Sequence, residues 1–93
     1  MADIAIHSIT GAYLGADIAI ETSRTLEVWA VDAAPAMAMV ACWLRLRDQQ
    51  GSAAEILIAA GQTYSVPARW AGGWTYNLKL AAVGNGLGVV VLS

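Results

Sequence analysis

One histidine, one cysteine, two prolines and no phenylalanine occur among the 93 residues of this chain. The lone Cys42 excludes an internal disulfide, and with His7 as the sole imidazole no His/Cys cluster exists to make a zinc-type site. Charge is equally scarce. Charged residues make up 13% of the chain, against about 25% in an average soluble domain. Only five of them are basic and the net charge is -2, so no basic stripe is present to draw a phosphate backbone, and no nucleic-acid partner is expected. The start, Met1-Ala2-Asp3, lacks the basic and apolar regions of a signal peptide, so synthesis in the cytoplasm is expected. The most apolar stretch, Ala33 to Leu44, is interrupted by Pro35 and falls far short of the ~20 residues that span a bilayer, so no membrane partner is expected either.

What the chain has in excess is apolar surface. Hydrophobic residues reach 58%, against about 45–50% in an average domain, and they are spread over a chain long enough for one domain, residues 1–93. A body this small buries only roughly 60–68% of the surface its unfolded chain exposes, which is too little interior for so many apolar side chains. Burial against other copies or other proteins is the expected outlet.

Short apolar runs alternate with turn residues along the sequence. Trp74, Tyr76, Leu78 and Leu80 alternate with Thr75, Asn77 and Lys79, the period of a strand with one wet face. Leu87 to Leu92 follows after Asn85-Gly86, a pair suited to the positive φ angles of a tight hairpin, so these two strands are expected to pair antiparallel. Leu26, Val28 and Ala30 form another alternating set, and Ala54–Ala60 and Gln62–Val66 are further runs divided by Gly61. The fold class this predicts is all-β, a small antiparallel sandwich or barrel. Ala2-Asp3-Ile4-Ala5-Ile6 recurs letter for letter as residues 16–20, which reads as two similar strands joined by a glycine-containing loop.

Two readings compete for residues 33–50. Asp32 near an N-cap, Pro35 in a first turn, good helix formers and Gly51 at the end describe a helix. Yet Ala38, Val40, Cys42, Leu44 and Leu46 alternate with Met37, Met39, Trp43, Arg45 and Arg47, and Asp48-Gln49-Gln50-Gly51 reads as a hairpin loop into the next run. The strand is favoured, because neighbouring strands need a partner and pairing overrides weak propensity.

Chemistry-bearing residues are few. His7 lies in an alternating run with no second base, and Cys42 lies between Ala41 and Trp43, where a buried, inert thiol is expected. The carboxylates are scattered singly, and the glycine pairs are not followed by the Lys-Ser/Thr of a phosphate loop. No enzyme, cofactor or metal is expected. Two aromatic sets remain. Trp70, Trp74 and Tyr76 cluster near Gly72-Gly73 and read either as core or as a platform for sugar rings. Trp29 and Trp43 lie on strand faces that also carry charge. Met37, Met39, Trp43, Arg45 and Trp29 are therefore the expected contact residues, with the methionines and tryptophans as anchors and Arg45 in a polar rim.

The segments Leu44-Arg45-Leu46-Arg47-Asp48, Glu55 to Gly61, Tyr64-Ser65-Val66-Pro67 and Gly84 to Val91 together resemble small β-sandwich accessory proteins of bacteriophage virions, over about half of the chain. The resemblance lies in the succession of short strands and an Ala-Gly turn. It implies a structural protein that decorates or completes a phage head or tail by contact alone, with a capsid and other copies of itself as partners and the virion as its location. The other function compatible with the residues is a carbohydrate-binding module using Trp70, Trp74 and Tyr76.

Overall fold

A computed structural model describes residues 3–20, 25–66 and 73–93. Among them nine strands form two antiparallel sheets, and none of these residues is helical. The first sheet, A, has the order β1 (Asp3–Thr10), β9 (Asn85–Leu92), β3 (Leu26–Asp32), with the short β4 (Met39–Val40) and β7 (Tyr64–Val66) side by side along the far edge of β3. The second sheet, B, has the order β2 (Ile18–Ala19), β8 (Thr75–Leu80), β5 (Cys42–Arg47), β6 (Ala53–Ile58). The expected all-β sandwich is the observed one.

Alternation decides which side chains enter the core. Leu26, Val28 and Ala30 of β3 and Ile9 and Val90 of the neighbouring strands point inward from sheet A. Cys42, Leu44 and Leu46 of β5 and Tyr76, Leu78 and Leu80 of β8 meet them from sheet B, all at most 6% exposed. The strand reading of 42–47 is thus the correct one. As a central strand β5 pairs with β6 on one side and β8 on the other, and it buries three side chains completely. A helix would have lost both ladders.

Two expectations need correction. The run from Ala38 to Leu46 is not one strand: it breaks at Ala41, where the chain leaves sheet A for sheet B, and Ala38, expected in the core, is exposed in the loop that joins β3 to β4. Next, β8 and β9 do not form a hairpin. They lie in different sheets, residues 81–84 cross between them, and Asn85-Gly86 belongs to β9 itself, opposite Thr10 and Ile9. The two Asp-Ile-Ala-Ile copies do contribute strands joined by a loop that holds Gly11 and Gly15, as expected, with β1 in sheet A and β2 in sheet B. The Asp48–Gly51 hairpin is also present. Asp48 Oδ1 accepts from the Gln50 and Ser52 amides at 2.9 Å each, and Gly51 takes φ 88°.

Candidate functional site

The outer faces of the two sheets are chemically unlike. On sheet B, Trp43, Arg45 and Arg47 of β5 point outward beside Lys79 of β8 and Glu55 and Leu57 of β6. Part of the loop at 11–17 lies over this face and is fixed there by Asn77. The Asn77 amide is 1% exposed; its Oδ1 accepts from the Leu14 amide at 2.8 Å and its Nδ2 donates to the Leu14 carbonyl at 3.0 Å. The same Nδ2 donates to Asp17 at 2.8 Å, and Arg45 and Arg47 close on the two carboxylate oxygens at 3.0 and 3.1 Å. These contacts, Asn77 first and then the arginines, hold the Asp17 carboxyl below its ordinary value. The Arg45 guanidinium also lies 4.3 Å from the centre of the Tyr13 ring, with Lys79 at 4.7 Å from it.

Sheet A presents the opposite character. Its register sets outward side chains in three rows across the strands: Ile4, Val91 and Glu27; then Ile6, Val89 and Trp29; then Ser8, Leu87, Val31 and Met39. Ile4 is 66% exposed, Ile6 60% and Met39 40%, and Glu27 is the one charge in these rows. An antiparallel sheet with one face in water reads apolar-in and polar-out. Strands β9 and β3 are apolar on both sides over most of their length, and β1 adds Ile4 and Ile6 to the outer face.

The expected contact set is therefore divided. Met39 and Trp29 lie on the outer face of sheet A, Trp43 and Arg45 on the outer face of sheet B, and Met37 in the loop between β3 and β4 with φ 49°. The physical cause is the crossing at Ala41: residues 39 and 43 share a side in one continuous strand and take opposite sides of the sandwich when the chain changes sheet between them. Arg45 is no free rim either, since Asp17 and Tyr13 hold it within the molecule. Reasoning from sequence missed Ile4 and Ile6, the most exposed members of the sheet A face, although their alternation with Asp3, Ala5 and His7 was visible.

Of the two readings of the aromatic set, the described residues follow the core one. Tyr76 is 2% exposed and faces the core, and Trp74 is partly buried against the same core; Trp70 lies outside the described residues. Trp74 borders an open pocket of about 210 Å³ with Asp48, Gln49 and Gln50. A second pocket, of about 260 Å³, lies where the chain crosses between sheets and includes Asp32, Val40 and Val83. Among the described residues Asp32 is its only charged lining group, too few polar groups to orient a ligand.

His7 bridges the sheets from inside, its Nε2 2.9 Å from the Tyr76 hydroxyl. Burial keeps its pKa below the ordinary 6.5. The folded state thus favours neutral His7, and the unfolded chain binds the proton first as pH falls through 6.5; stability is full above that value and declines below it. Melting temperatures measured from pH 7.5 to pH 5 should fall, and His7→Gln should reduce the slope. An unchanged slope in the variant would refute the assignment. Cys42 is fully buried and its pKa is pushed up to about 11 by burial, which suppresses the thiolate that nucleophilic chemistry requires. Among the described residues no three His, Cys, Asp or Glu side chains come together to hold a metal ion, and no helix is long and apolar enough to cross a membrane.

Neither a family model nor a curated protein matches the chain. Solved structures that share its fold include two of CapF. One is CapF with the inhibitor 3-isopropenyl-tropolone, at a TM-score of 0.59 and 12% identity over 98% of this chain and 23% of CapF. Another is the capsular polysaccharide assembling protein CapF from Staphylococcus aureus, at 0.58 and 12%, over 98% of this chain and 22% of CapF. The chain therefore spans less than a quarter of these proteins, and at this identity the likeness is one of fold.

Proposed function

We propose that this chain is a non-catalytic assembly subunit that works by docking the outer face of sheet A against protein. One observation carries the reading: Ile6, 60% exposed, stands in a row with Val89 and Trp29 on a sheet whose other face is already filled by the core. The total accessible surface of 5143 Å² is close to the roughly 5,100 Å² expected of a monomer of 9.7 kDa, so extra compaction has not absorbed the apolar excess. A contiguous apolar sheet face of this kind marks a contact site. An accessory subunit of a phage particle is the form of assembly that the sequence resemblance adds to this reading.

The test is the native size of the chain in extracts of the cells that make it. The wild type should migrate in a species well above 9.7 kDa, Ile6→Lys should collapse that species, and Leu57→Lys should not. Leu57 is a matched control, being 53% exposed and on the outer face of sheet B. A chain that runs as a monomer in the extract, or a complex indifferent to Ile6→Lys, would sink the proposal.

A further inference from the structure

We infer that the occupant of this face is a second copy of the chain, packed face to face about a two-fold axis; the inference rests on the docking role proposed above. Among the described residues the face holds no Lys or Arg, so none of them would select an acidic protein or an anionic lipid surface. Apolar rows are matched best by apolar rows, and a two-fold contact supplies them because the same patch serves on both sides.

Placement of the single charge selects the axis. If the axis runs across the strands through the middle row, Ile6, Val89 and Trp29 meet their own counterparts, and the row of Ile4 and Val91 meets the row of Ser8 and Leu87. Glu27 then lies at one end of each copy, and the two carboxylates stand two rows apart, roughly 14 Å along the strands. That separation exceeds the Debye length of about 8 Å at physiological salt, so they do not oppose the contact. An axis along the strands would instead place the two Glu27 side chains about one strand spacing apart, roughly 5 Å, where repulsion acts unscreened.

Area supports the same occupant. Four strand positions about 4.8 Å apart and a strand length of about 27 Å, from eight residues, give a face of roughly 500 Å² on each copy. Two copies cover about 1,000 Å² together, the lower limit for a specific interface, which fits a weak and reversible dimer.

The test is sedimentation equilibrium of the purified full chain over a dilution series. The wild type should sediment at twice 9.7 kDa. Ile6→Lys on β1 and Met39→Lys on the far edge of the sheet should each raise the dissociation constant by more than about thirtyfold, the factor lost with a hot-spot residue, while Leu57→Lys leaves it unchanged. Circular dichroism checks that each variant is folded, and Ile4→Lys replaces Ile6→Lys should the latter unfold. A wild type at 9.7 kDa throughout overturns the inference. So does dissociation by Ile6→Lys alone, which would mean pairing along the β1 edge instead of packing across the face. If the purified chain is monomeric while the complex in extracts still depends on Ile6, the second copy is wrong and the docking role stands; if both are lost, the docking role falls with it.

Discussion

Asn77→Ala should lower the stability of the fold by about 3 kcal/mol, the larger effect expected on the sheet B side of the molecule. The Asn77 side chain acts for the loop at Leu14 as a strand neighbour would, offering one acceptor and one donor to the backbone N–H and C=O of the same residue at 2.8 and 3.0 Å. Truncation removes both bonds, and each buried group left without a partner costs about 1–3 kcal/mol, reduced where water can enter. It also frees Asp17 from the donor that contributes most to its low pKa. For a chain of this size the loss corresponds to a melting temperature lower by roughly 12–24 °C. The pH dependence gives a second check. Stability from a depressed carboxyl is present above the unfolded value of 3.8 and is lost as pH falls through the folded value. The gap between wild type and variant should therefore be widest above pH 3.8 and narrow below it. A melting temperature within about 4 °C of the wild type would show that the loop is held by other contacts.

That polar node was hidden in the sequence for a definite reason. Asp17 lies 28 to 60 positions from Arg45, Arg47 and Asn77, and only the pairing of β5 with β8 and the return of the loop at Leu14 bring them together. What could be read was that Arg45 and Arg47 share one face two residues apart; in a chain so poor in charge, that pair implied a counter-ion without naming it. The apolar pattern was more informative. Alternation within 26–32, 42–47 and 75–80 identifies strands and their inward sides, because period two is local and a one-residue slip would put every core side chain into water. Which sheet a strand joins is not local. The crossing at Ala41 leaves the alternation from Val40 to Cys42 intact while moving the chain between layers, so Met39 and Trp43 looked like neighbours and are not. The sheet A face was legible in part: Trp29 and Met39 were identified, whereas Ile4 and Ile6 needed the β1–β9 register to place them beside Val91 and Val89.

The same non-locality governs Gly86, where the reason for a glycine differs from the one its neighbours suggest. Asn85-Gly86 has the composition of a tight turn, for which glycine would supply a positive φ. In the fold Gly86 is buried in β9, opposite Ile9 and Asp32, and unlike Gly51, Gly61, Gly73 and Gly84 it does not take a positive φ. Space, not backbone conformation, demands glycine here. A Cβ at this position would stand 2.5 Å from the Val31 carbonyl oxygen and 3.1 Å from Leu80 Cδ2. The carbonyl belongs to β3, so relief requires β9 to move away from its neighbour, and β9 is the strand through which both β1 and β3 are held in the sheet. Gly86→Val should cost about 3 kcal/mol or more, at the upper end of what overpacking a tight interior does. Gly86→Ala should cost less because one methyl carbon displaces less than three. Gly86→Asn separates the two causes. Asparagine tolerates the left-handed region well, so a turn position would accept it with little loss, whereas a crowded strand position should reject it as it rejects alanine. Urea midpoints for the three variants provide the measurement, and a Gly86→Asn midpoint equal to that of the wild type would show that a turn, and not the Val31 carbonyl, is what requires the glycine.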